Sequence, residues 1–196
     1  MKNNNLDIGK MHIEIFLPPE QAEGNSVVIP KLPHGSNIVT IQNGNESLTG
    51  CDALITKSRD FSLGIKTADC APICFSDGKT IGIAHIGWRG LCLGLLEKML
   101  THFETTTLDI YVAPFLHSFQ IQKDFCYDQI TQKFGERFFE QKNEGIFFNF
   151  EGAIRSLLPT RTMFDARGTT TELYFPSYRR DKTSERFVTV VSFRAS

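Results

Sequence analysis

The chain lacks an excess of either charge and lacks long hydrophobic runs. Its 21 Lys and Arg residues nearly balance its 22 Asp and Glu residues, which gives a formal net charge of -1. This balance excludes the basic surface that a nucleic-acid backbone or an anionic membrane requires. No apolar run approaches the roughly 20 residues of a membrane helix, and the polar start MKNNNLDIGK has no signal-peptide core. We therefore expect a soluble, cytoplasmic protein without nucleic-acid or membrane partners.

Paired cysteines, repeats and linkers are also missing. The five cysteines are an odd number and form no C-x-x-C pair, which argues against a disulfide framework and for reduced thiols. The glycine patterns of dinucleotide-binding and P-loop folds are absent. Because 196 residues with 41% hydrophobic content suffice for one core, we predict a single domain over residues 1–196.

Short apolar and alternating runs predominate in the chain and predict a fold rich in strands. The predicted strands are 11–17, 26–30, 37–42, 51–56, 62–67, 71–75, 80–86, 108–113, 163–165, 172–175 and 187–193. A 3.6-residue pattern predicts helices at 91–103, 123–141 and 150–158, with the phenylalanines of the second helix in the core. Strands come first and then mix with helices without regular alternation. The pattern therefore favours a single-domain α/β fold of α+β character, with mixed β-sheet layers flanked by helices.

The stretch from 63 to 90, LGIKTADCAPICFSDGKTIGIAHIGWRG, contains two apolar runs that lead to reactive side chains. Cys70 lies beside the first run and His85 ends the second, and an Asp-Gly turn at 77–78 predicts that the strands are neighbours. Cys70 and His85 are therefore expected to meet, although a cysteine of this kind also suits a core. Asp69 lies between apolar runs, where its carboxylate needs hydrogen-bond donors or a group to orient. Cys74 has no such neighbour and is predicted to be core.

Two glycines enclose Trp88 and Arg89 directly after the second run. Gly87 and Gly90 indicate a close backbone approach or a tight entry into the next helix. A helix start beside His85 and Arg89 suits an anion such as phosphate or a carboxylate. In the alternative interpretation Trp88 fills the core and Arg89 bonds a carbonyl.

Other candidate positions are less determined by their local sequence. His34 lies in a loop bounded by proline and glycine, where a histidine is either solvated or recruited by a partner. Arg179 and Arg180 form a pair near the C-terminus, which is either a solvated turn or a source of positive charge for a ligand.

Three stretches resemble, in order and spacing, the signatures of one family. Residues 67–72 (TADCAP), 85–90 (HIGWRG) and 175–181 (FPSYRRD) are similar to the TADC-x-P, HAGWRG and FFSYRRD elements of the YfiH-like family. This family is also called the laccase-domain or multicopper polyphenol oxidase family, and it is associated with purine nucleoside phosphorylase activity. The resemblance runs from about Val27 to the C-terminus and implies the YfiH-like fold.

The resemblance also implies a metal site. His34 stands for the histidine of the family's QVHG element, and Cys70 and His85 complete a His-Cys-His zinc site, with copper as the other possible metal. Three such ligands leave a fourth tetrahedral position for water or substrate. The implied catalytic residues are His34, Cys70, His85 and Asp69, and the implied substrate and phosphate residues are Gly87, Trp88, Arg89 and Arg179.

The chain departs from the family's pattern outside the metal triad. Leu32 and Pro33 replace the usual Gln and Val, residues 113–117 (APFLH) lose both glycines of a G-P-x-I-G element, and Gly168-Thr169 stand where a Cys-Thr pair is expected. An N-terminal G-G-V-S element is not recognisable, so a divergent, N-terminally shortened member is expected. Metal binding thus follows from the resemblance more directly than the substrate does.

The implied reaction is phosphorolysis of a purine nucleoside. Adenosine, inosine or methylthioadenosine would react with phosphate to give the base and ribose 1-phosphate, and adenosine deamination is a second expected activity. Arg89 and the helix start would hold phosphate, and Asp69 would orient a metal ligand or exchange a proton. The partners are thus small molecules, and the sequence gives no indication of oligomeric state.

Three alternatives remain at this point. One is a thiol hydrolase in which Cys70 is the nucleophile and His85 its base, akin to the peptidoglycan-editing role attributed to some relatives. Another is copper-dependent phenol oxidation, which a single site of one cysteine and two histidines suits poorly because the His-rich copper motifs are absent. The third is a non-catalytic metal-binding relative, suggested by the lost glycines.

Overall fold

The computed structural model describes residues 4–20, 22 and 26–195, and it arranges them as three mixed or antiparallel sheets with short helices. The strands are β1 (Asn4–Ile8), β2 (Met11–Phe16), β3 (Val27–Val28), β4 (Asn37–Ile41), β5 (Cys51–Thr56), β6 (Ser62–Thr67), β7 (Ala71–Ser76), β8 (Ile81–Ile86), β9 (Asp109–Val112), β10 (Ser118–Ile121), β11 (Phe139–Lys142), β12 (Gly145–Asn149), β13 (Met163–Phe164) and β14 (Phe187–Phe193). The helices are α1 (Trp88–Cys92), α2 (Leu95–Leu100), α3 (Phe125–Phe134), α4 (Phe150–Arg155) and α5 (Tyr178–Asp181).

A six-stranded sheet in the order β13-β9-β7-β8-β5-β4 forms the middle of the fold. Every residue of β5, β7 and β8 is buried. Strands that are covered on both faces read as continuous apolar runs rather than as alternating ones. This burial explains why the runs at 71–76 and 81–86 carry no polar stripe.

The two faces of this sheet belong to two hydrophobic cores. Side chains of Leu54, Cys74 and Ile83 face a second sheet in the order β1-β2-β14-β6-β3. Their strand neighbours Ala53 and Ile73 face the opposite core, which also contains the buried side chains of α1 to α4 and of the small sheet β10-β12-β11. Because successive side chains along a strand point to opposite faces of the sheet, each strand contributes residues to both cores. The predicted α+β class with mixed sheets flanked by helices is confirmed, and Cys74 is core as predicted.

The hairpin between β7 and β8 matches its prediction. The two strands pair antiparallel, with Pro72 opposite His85, and Gly78 takes a positive φ of 86° in the turn. Asp77 accepts hydrogen bonds from the backbone N–H groups of Lys79 and Thr80 at 2.9 and 2.7 Å. These bonds stabilise the turn locally, which is why the sequence alone indicates it.

The first predicted helix, 91–103, is wrong in its bounds and continuity. Two short helices replace it, α1 from Trp88 and α2 from Leu95, and they are separated at Gly94, whose φ is +76°. A left-handed glycine ends one helix and lets the chain change direction before the next. The apolar spacing survives because both helices pack on the same sheet face.

The second predicted helix, 123–141, is too long. Asp124 caps α3 through its side chain, and Gly135 ends it with a φ of +69°. The following phenylalanines belong largely to β11 and β12, so their spacing is that of strands and not of a helix. Phe125, predicted to be core, is 68% exposed because it occupies the first turn of α3.

Further differences lie near the chain ends and in the small sheet. Strand β1 was not predicted, although it pairs with β2 around Gly9, and β10 was also missed. Residues 172–175 form turns rather than a strand, because the Glu172 N–H bonds back to the Gly168 carbonyl at 2.9 Å. The arginine pair lies in α5, which Ser177 caps. No helix in the described part of the chain is long and apolar enough to span a membrane.

Candidate metal centre and cavity

Three separate elements bring His34, Cys70 and His85 together. Cys70 directly precedes β7, His85 lies in β8, and His34 comes from the loop before β4. Their ligand atoms all lie within 4.8 Å of one another. The rings of His34 and His85 are 4.7 Å apart and nearly perpendicular, at 82°. The hairpin register fixes the Cys70–His85 pair, and the loop adds the third side chain.

Asp52, which the sequence patterns above do not single out, supports this cluster. Its buried carboxylate accepts a hydrogen bond from His85 Nδ1 at 3.0 Å. This bond fixes the orientation of the imidazole and turns the other ring nitrogen toward Cys70 and His34. The sequence carried a signal for it, because an aspartate inside the apolar run CDALIT needs hydrogen-bond donors just as Asp69 does.

The same carboxylate holds the loop that carries His34. The backbone N–H groups of His34 and Gly35 donate to the two Asp52 oxygens at 2.9 and 2.6 Å. His34 adopts a φ of +64°, a left-handed conformation that non-glycine residues rarely take. Asp52 thus positions two members of the cluster from one buried site.

The proximity of these groups shifts their pKa values. Burial raises the pKa of Cys70, but hydrogen bonds and charges of His34 and His85 outweigh it and lower the pKa to about 6. Burial lowers the pKa of His85, yet hydrogen bonds and charges of Asp52 and Cys70 raise it to about 9. Burial also raises the pKa of Asp52, whereas the His85 and backbone hydrogen bonds bring it below its usual value. The lowered pKa favours the thiolate form of Cys70, which is the form that binds a metal or acts as a nucleophile.

The donor set fits a tetrahedral soft metal ion. One thiolate and two imidazoles, with a carboxylate behind one imidazole, are the ligand types and the outer support that zinc sites use. Donor atoms around such an ion lie roughly 3 to 4 Å from one another, so separations within 4.8 Å need only a small closure. His34, Cys70 and His85 could therefore hold a metal ion, and the donor chemistry favours zinc or copper over a hard cation.

Gly87 has no side chain and therefore leaves room for the cluster. A Cβ atom at this position would lie 3.1 Å from Cys70 Sγ and 3.5 Å from His34 Cδ2. The first separation is tight for a neighbour that a metal would hold in place. The close approach expected for this glycine is thus directed at the cluster itself.

The Asp69 carboxylate makes no hydrogen bond to the cluster within the described residues. Its Oδ1 accepts from Thr169 Oγ1 and Ser177 Oγ, both at 2.7 Å, and its Oδ2 accepts from the Arg179 backbone N–H at 2.7 Å. Asp69 is buried and has the donors that its apolar setting demanded. Its carboxylate therefore ties the C-terminal segment to the chain next to Cys70.

The cluster opens into a cavity of about 680 Å³. Trp88 and Tyr178 contribute aromatic surface to its lining, and Lys31, Lys66, Arg179 and Arg186 contribute positive charge. Other lining residues are Pro30, Leu32, His34, Thr67, Ala68, Asp69, Cys70, His85 and Gly87. An opening of this size accommodates a molecule of nucleoside size, and its cations suit an anion.

Of the predicted substrate residues, Gly87, Trp88 and Arg179 line the cavity and Arg89 does not. The Arg89 side chain is exposed on α1, which is a helix of only five residues. Lys31, Lys66 and Arg186 were not predicted, because none of them belongs to a motif that the sequence singles out. The sequence carries no signal that Arg186 lies near Cys70.

The fold and the site define an α+β protein with a cysteine–histidine cluster of metal-site geometry in a cation-lined cavity. A family described as multi-copper polyphenol oxidoreductase laccase matches residues 15–194. The chain belongs to this family, and the resemblance predicted from the three signatures is confirmed.

Named relatives agree with this assignment, and solved structures share the fold. The chain is 28% identical to a purine nucleoside phosphorylase of Aquifex aeolicus over 176 residues, covering 84% of this chain and 82% of that protein. It is 26% identical to the purine nucleoside phosphorylase YfiH of Escherichia coli over 170 residues, or 81% and 70% of the two chains. A protein from Neisseria meningitidis superposes over 100% of both chains with a TM-score of 0.82 at 18% identity. Bacillus licheniformis YfiH covers 86% of this chain and 74% of its own, with a TM-score of 0.75 at 21% identity. These structural likenesses show the fold.

Proposed function

We propose that this protein is a zinc-dependent purine nucleoside phosphorylase. The observation that carries the proposal is the His34–Cys70–His85 cluster in a cavity that also presents cations and aromatic rings. The relatives named purine nucleoside phosphorylase supply the reaction class. Phosphate would attack the anomeric carbon of the nucleoside while the glycosidic bond breaks, which yields the free base and ribose 1-phosphate.

His34, Cys70 and His85 would hold the zinc ion. When bound, zinc supplies Lewis-acid polarisation of an oxygen in the cavity. Asp52 accepts from Nδ1 of His85, so that Nε2 faces the cluster, and it holds the backbone of His34 at the same time. Because the pKa of His85 is raised, metal binding would displace a proton from the nitrogen that faces the cluster.

The cations of the cavity would bind phosphate. Lys31, Lys66, Arg179 and Arg186 line it, and fixed positive charge stabilises both phosphate and the negative charge that develops around it during transfer. The Arg179 guanidinium also lies 4.1 Å over the Phe119 ring and donates to the Gln120 carbonyl at 3.3 Å, contacts that limit its motion. Arg89, predicted for this role, lies outside the lining, so Arg179 is the better placed of the two.

Trp88 and Tyr178 would receive the purine. Both side chains line the cavity, and a flat aromatic ring offers a purine base a large apolar surface. Trp88 is supported from behind by Phe125, whose ring is 6.4 Å away at 74°. The nucleoside would thus place its base against these rings and its sugar toward the metal cluster.

The decisive experiment incubates zinc-loaded protein with adenosine and phosphate and separates adenine, inosine and hypoxanthine. Phosphate-dependent release of adenine is expected, whereas inosine without phosphate would show deamination at the same site. The Cys70→Ala variant should lose both zinc and product, and Cys74→Ala, at a buried thiol outside the cluster, should keep zinc. The absence of any product from adenosine, inosine or methylthioadenosine at high enzyme concentration would reject the proposal.

A thiol hydrolase is the second candidate, favoured by one specific observation. The lowered pKa of Cys70, about 6, and the adjacent His85 are what a cysteine nucleophile and its base require. Purified protein with stoichiometric zinc, protected from alkylation at Cys70, would contradict this candidate. Purified protein without zinc that is alkylated rapidly at Cys70 would favour it over the phosphorylase.

A further inference from the structure

Asp69 occupies a conformation that the chain must maintain against local preference. Its φ is +92°, which is rare for a residue with a side chain, and the residue is only 7% exposed. Strained conformations persist only where surrounding contacts hold them, and they concentrate near functional sites. The contacts that hold Asp69 in this conformation therefore indicate its role.

Every side-chain hydrogen bond found for Asp69 comes from one distant segment, residues 168–181. Two hydroxyl groups and one backbone N–H donate, all at 2.7 Å, from positions 100 to 110 residues further along the chain. The Asp69 carbonyl also accepts from the Leu116 N–H at 2.9 Å. No side-chain bond joins Asp69 to His34, Cys70 or His85 within the described residues.

The anchored segment presents two side chains to the cavity. Ser177 caps α5, a single turn in which Tyr178 and Arg179 line the cavity. Arg180 bonds the segment to itself through the carbonyls of Thr169 and Phe175 at 2.6 and 2.9 Å. The segment is thus organised internally. The Thr169 N–H and the Arg179 guanidinium also bond it to the carbonyls of Phe115 and Gln120, and the Asp69 carboxylate joins it to the chain beside Cys70.

We propose that Asp69 is a positioning residue that acts through the 168–181 segment, holding Arg179 toward phosphate and Tyr178 toward the nucleoside. This inference deepens the proposed function and rests on it. It replaces the roles expected from the sequence, orientation of a metal ligand or exchange of a proton. A carboxylate binds a backbone N–H and hydroxyl groups more strongly than a neutral acceptor does, which suits a junction between distant parts of the chain.

The test uses Asp69→Asn and Thr169→Val in zinc-loaded protein. In the asparagine variant only one acceptor oxygen remains, so either the Arg179 N–H or the two hydroxyl groups lose their acceptor. Thr169→Val removes one hydroxyl donor and keeps the shape, so it provides a milder variant should the first fold poorly. Asp128→Asn, on the exposed face of α3, is the matched control.

Three measurements distinguish a positioning role of Asp69 from a direct role in the reaction. We expect Asp69→Asn to keep one zinc per chain, to raise the KM for phosphate and its calorimetric Kd about tenfold, and to leave kcat within about threefold. Amide hydrogen exchange in residues 177–182 should become faster in this variant, with a smaller effect in Thr169→Val. Asp128→Asn should match the unmodified protein in all of them.

A double variant tests whether Asp69 acts through Arg179. In an Arg179→Ala background, Asp69→Asn should add little to the phosphate Kd, because the side chain that it positions is already absent. Additive effects, loss of zinc, or a fall in kcat at unchanged KM would overturn the inference. If no nucleoside is cleaved but exchange at 177–182 still accelerates, the proposed function fails while the anchoring by Asp69 stands. If cleavage proceeds and neither exchange nor phosphate affinity changes, only the inference fails.

Discussion

Two buried aspartates near the cysteine–histidine cluster bind different parts of the chain. Asp52 bonds to His85 and to the backbone of His34, whereas Asp69, although adjacent to Cys70 in sequence, bonds to Thr169, Ser177 and the backbone of Arg179. Sequence neighbours of a ligand therefore need not support it. Each carboxylate is buried because its donors replace the water that it gave up on folding.

Replacing Asp52 with asparagine should weaken metal binding without removing a ligand. The amide keeps the size of the carboxylate but loses the charge that favours the required His85 tautomer. We expect the zinc affinity to fall about 10- to 100-fold, measured by competition with a chromophoric chelator at neutral pH. Asp60→Asn, at an exposed turn, is the control. An affinity within about twofold of the unmodified protein would show that Asp52 does not act on the metal.

Among the elements, the hairpin β7–β8 and the loop after β13 show two kinds of stabilisation. The hairpin turn is held by its own side chains, as with Asp77. The loop after β13 is held by Asp165, which accepts from Tyr111 at 2.5 Å and from Arg167 Nε at 2.8 Å and Nη2 at 2.6 Å. This second arrangement joins β9 to the loop after β13 and depends on ionisation.

The contribution of Asp165 to stability should depend on pH. Burial raises its pKa, but the bonds from Arg167 and Tyr111 outweigh it and keep the pKa below the usual value. A depressed pKa contributes stability above the unfolded pKa of about 4, and this stability is lost as the pH falls through the folded pKa. Asp165→Asn should therefore lower the free energy of unfolding by about 1–3 kcal/mol at pH 7, with the difference shrinking below about pH 4.

Urea unfolding at several pH values measures this difference. Glu140→Gln is the comparison, because the Glu140–Lys142 pair at 3.3 Å is 53% and 46% exposed. An exposed pair of this kind contributes about 0–1 kcal/mol, so its loss should be small at every pH. An Asp165→Asn difference that stayed constant from pH 7 to pH 3 would contradict the ionisation argument.

In the molecule as a whole, a metal at the cluster would join parts of the chain that are distant in sequence. His34 lies before the edge strand β4 of the six-stranded sheet, whereas Cys70 and His85 lie at adjacent ends of its two central strands, β7 and β8. A ligand that binds only the folded state stabilises it by an amount set by its free concentration relative to its Kd. Metal binding and thermal stability should therefore change together.

Removing the metal should lower the melting temperature. At a free zinc concentration about 100 times Kd the stabilisation is about 2.7 kcal/mol, which in a chain of this size corresponds to roughly 5–10 °C. Differential scanning calorimetry with and without a chelator measures the shift, and added zinc should restore it. The Cys70→Ala variant should not respond to either treatment. If the melting temperature of the unmodified protein also failed to change with chelator or zinc, the result would argue against a resident metal.

The class of fold and the pair of reactive residues at its centre could be predicted from the amino-acid sequence. Apolar runs and an Asp-Gly turn are local features, and they suffice to place Cys70 and His85 on neighbouring strands. The three signatures then identified the family and added His34. The helix bounds could not be predicted correctly, because Gly94 and Gly135 interrupt an apolar spacing that looks continuous in the sequence.

Most of the charges in the cavity and the role of each aspartate became visible only in the folded chain. Lys31, Lys66 and Arg186 line the cavity beside the predicted Arg179, whereas Arg89, which follows β8 closely in sequence, lies on the exposed side of α1. The donors to the Asp69 carboxylate lie 100 or more residues away along the chain. Contacts at such separations depend on how whole sheets pack, and no local pattern of side chains encodes them.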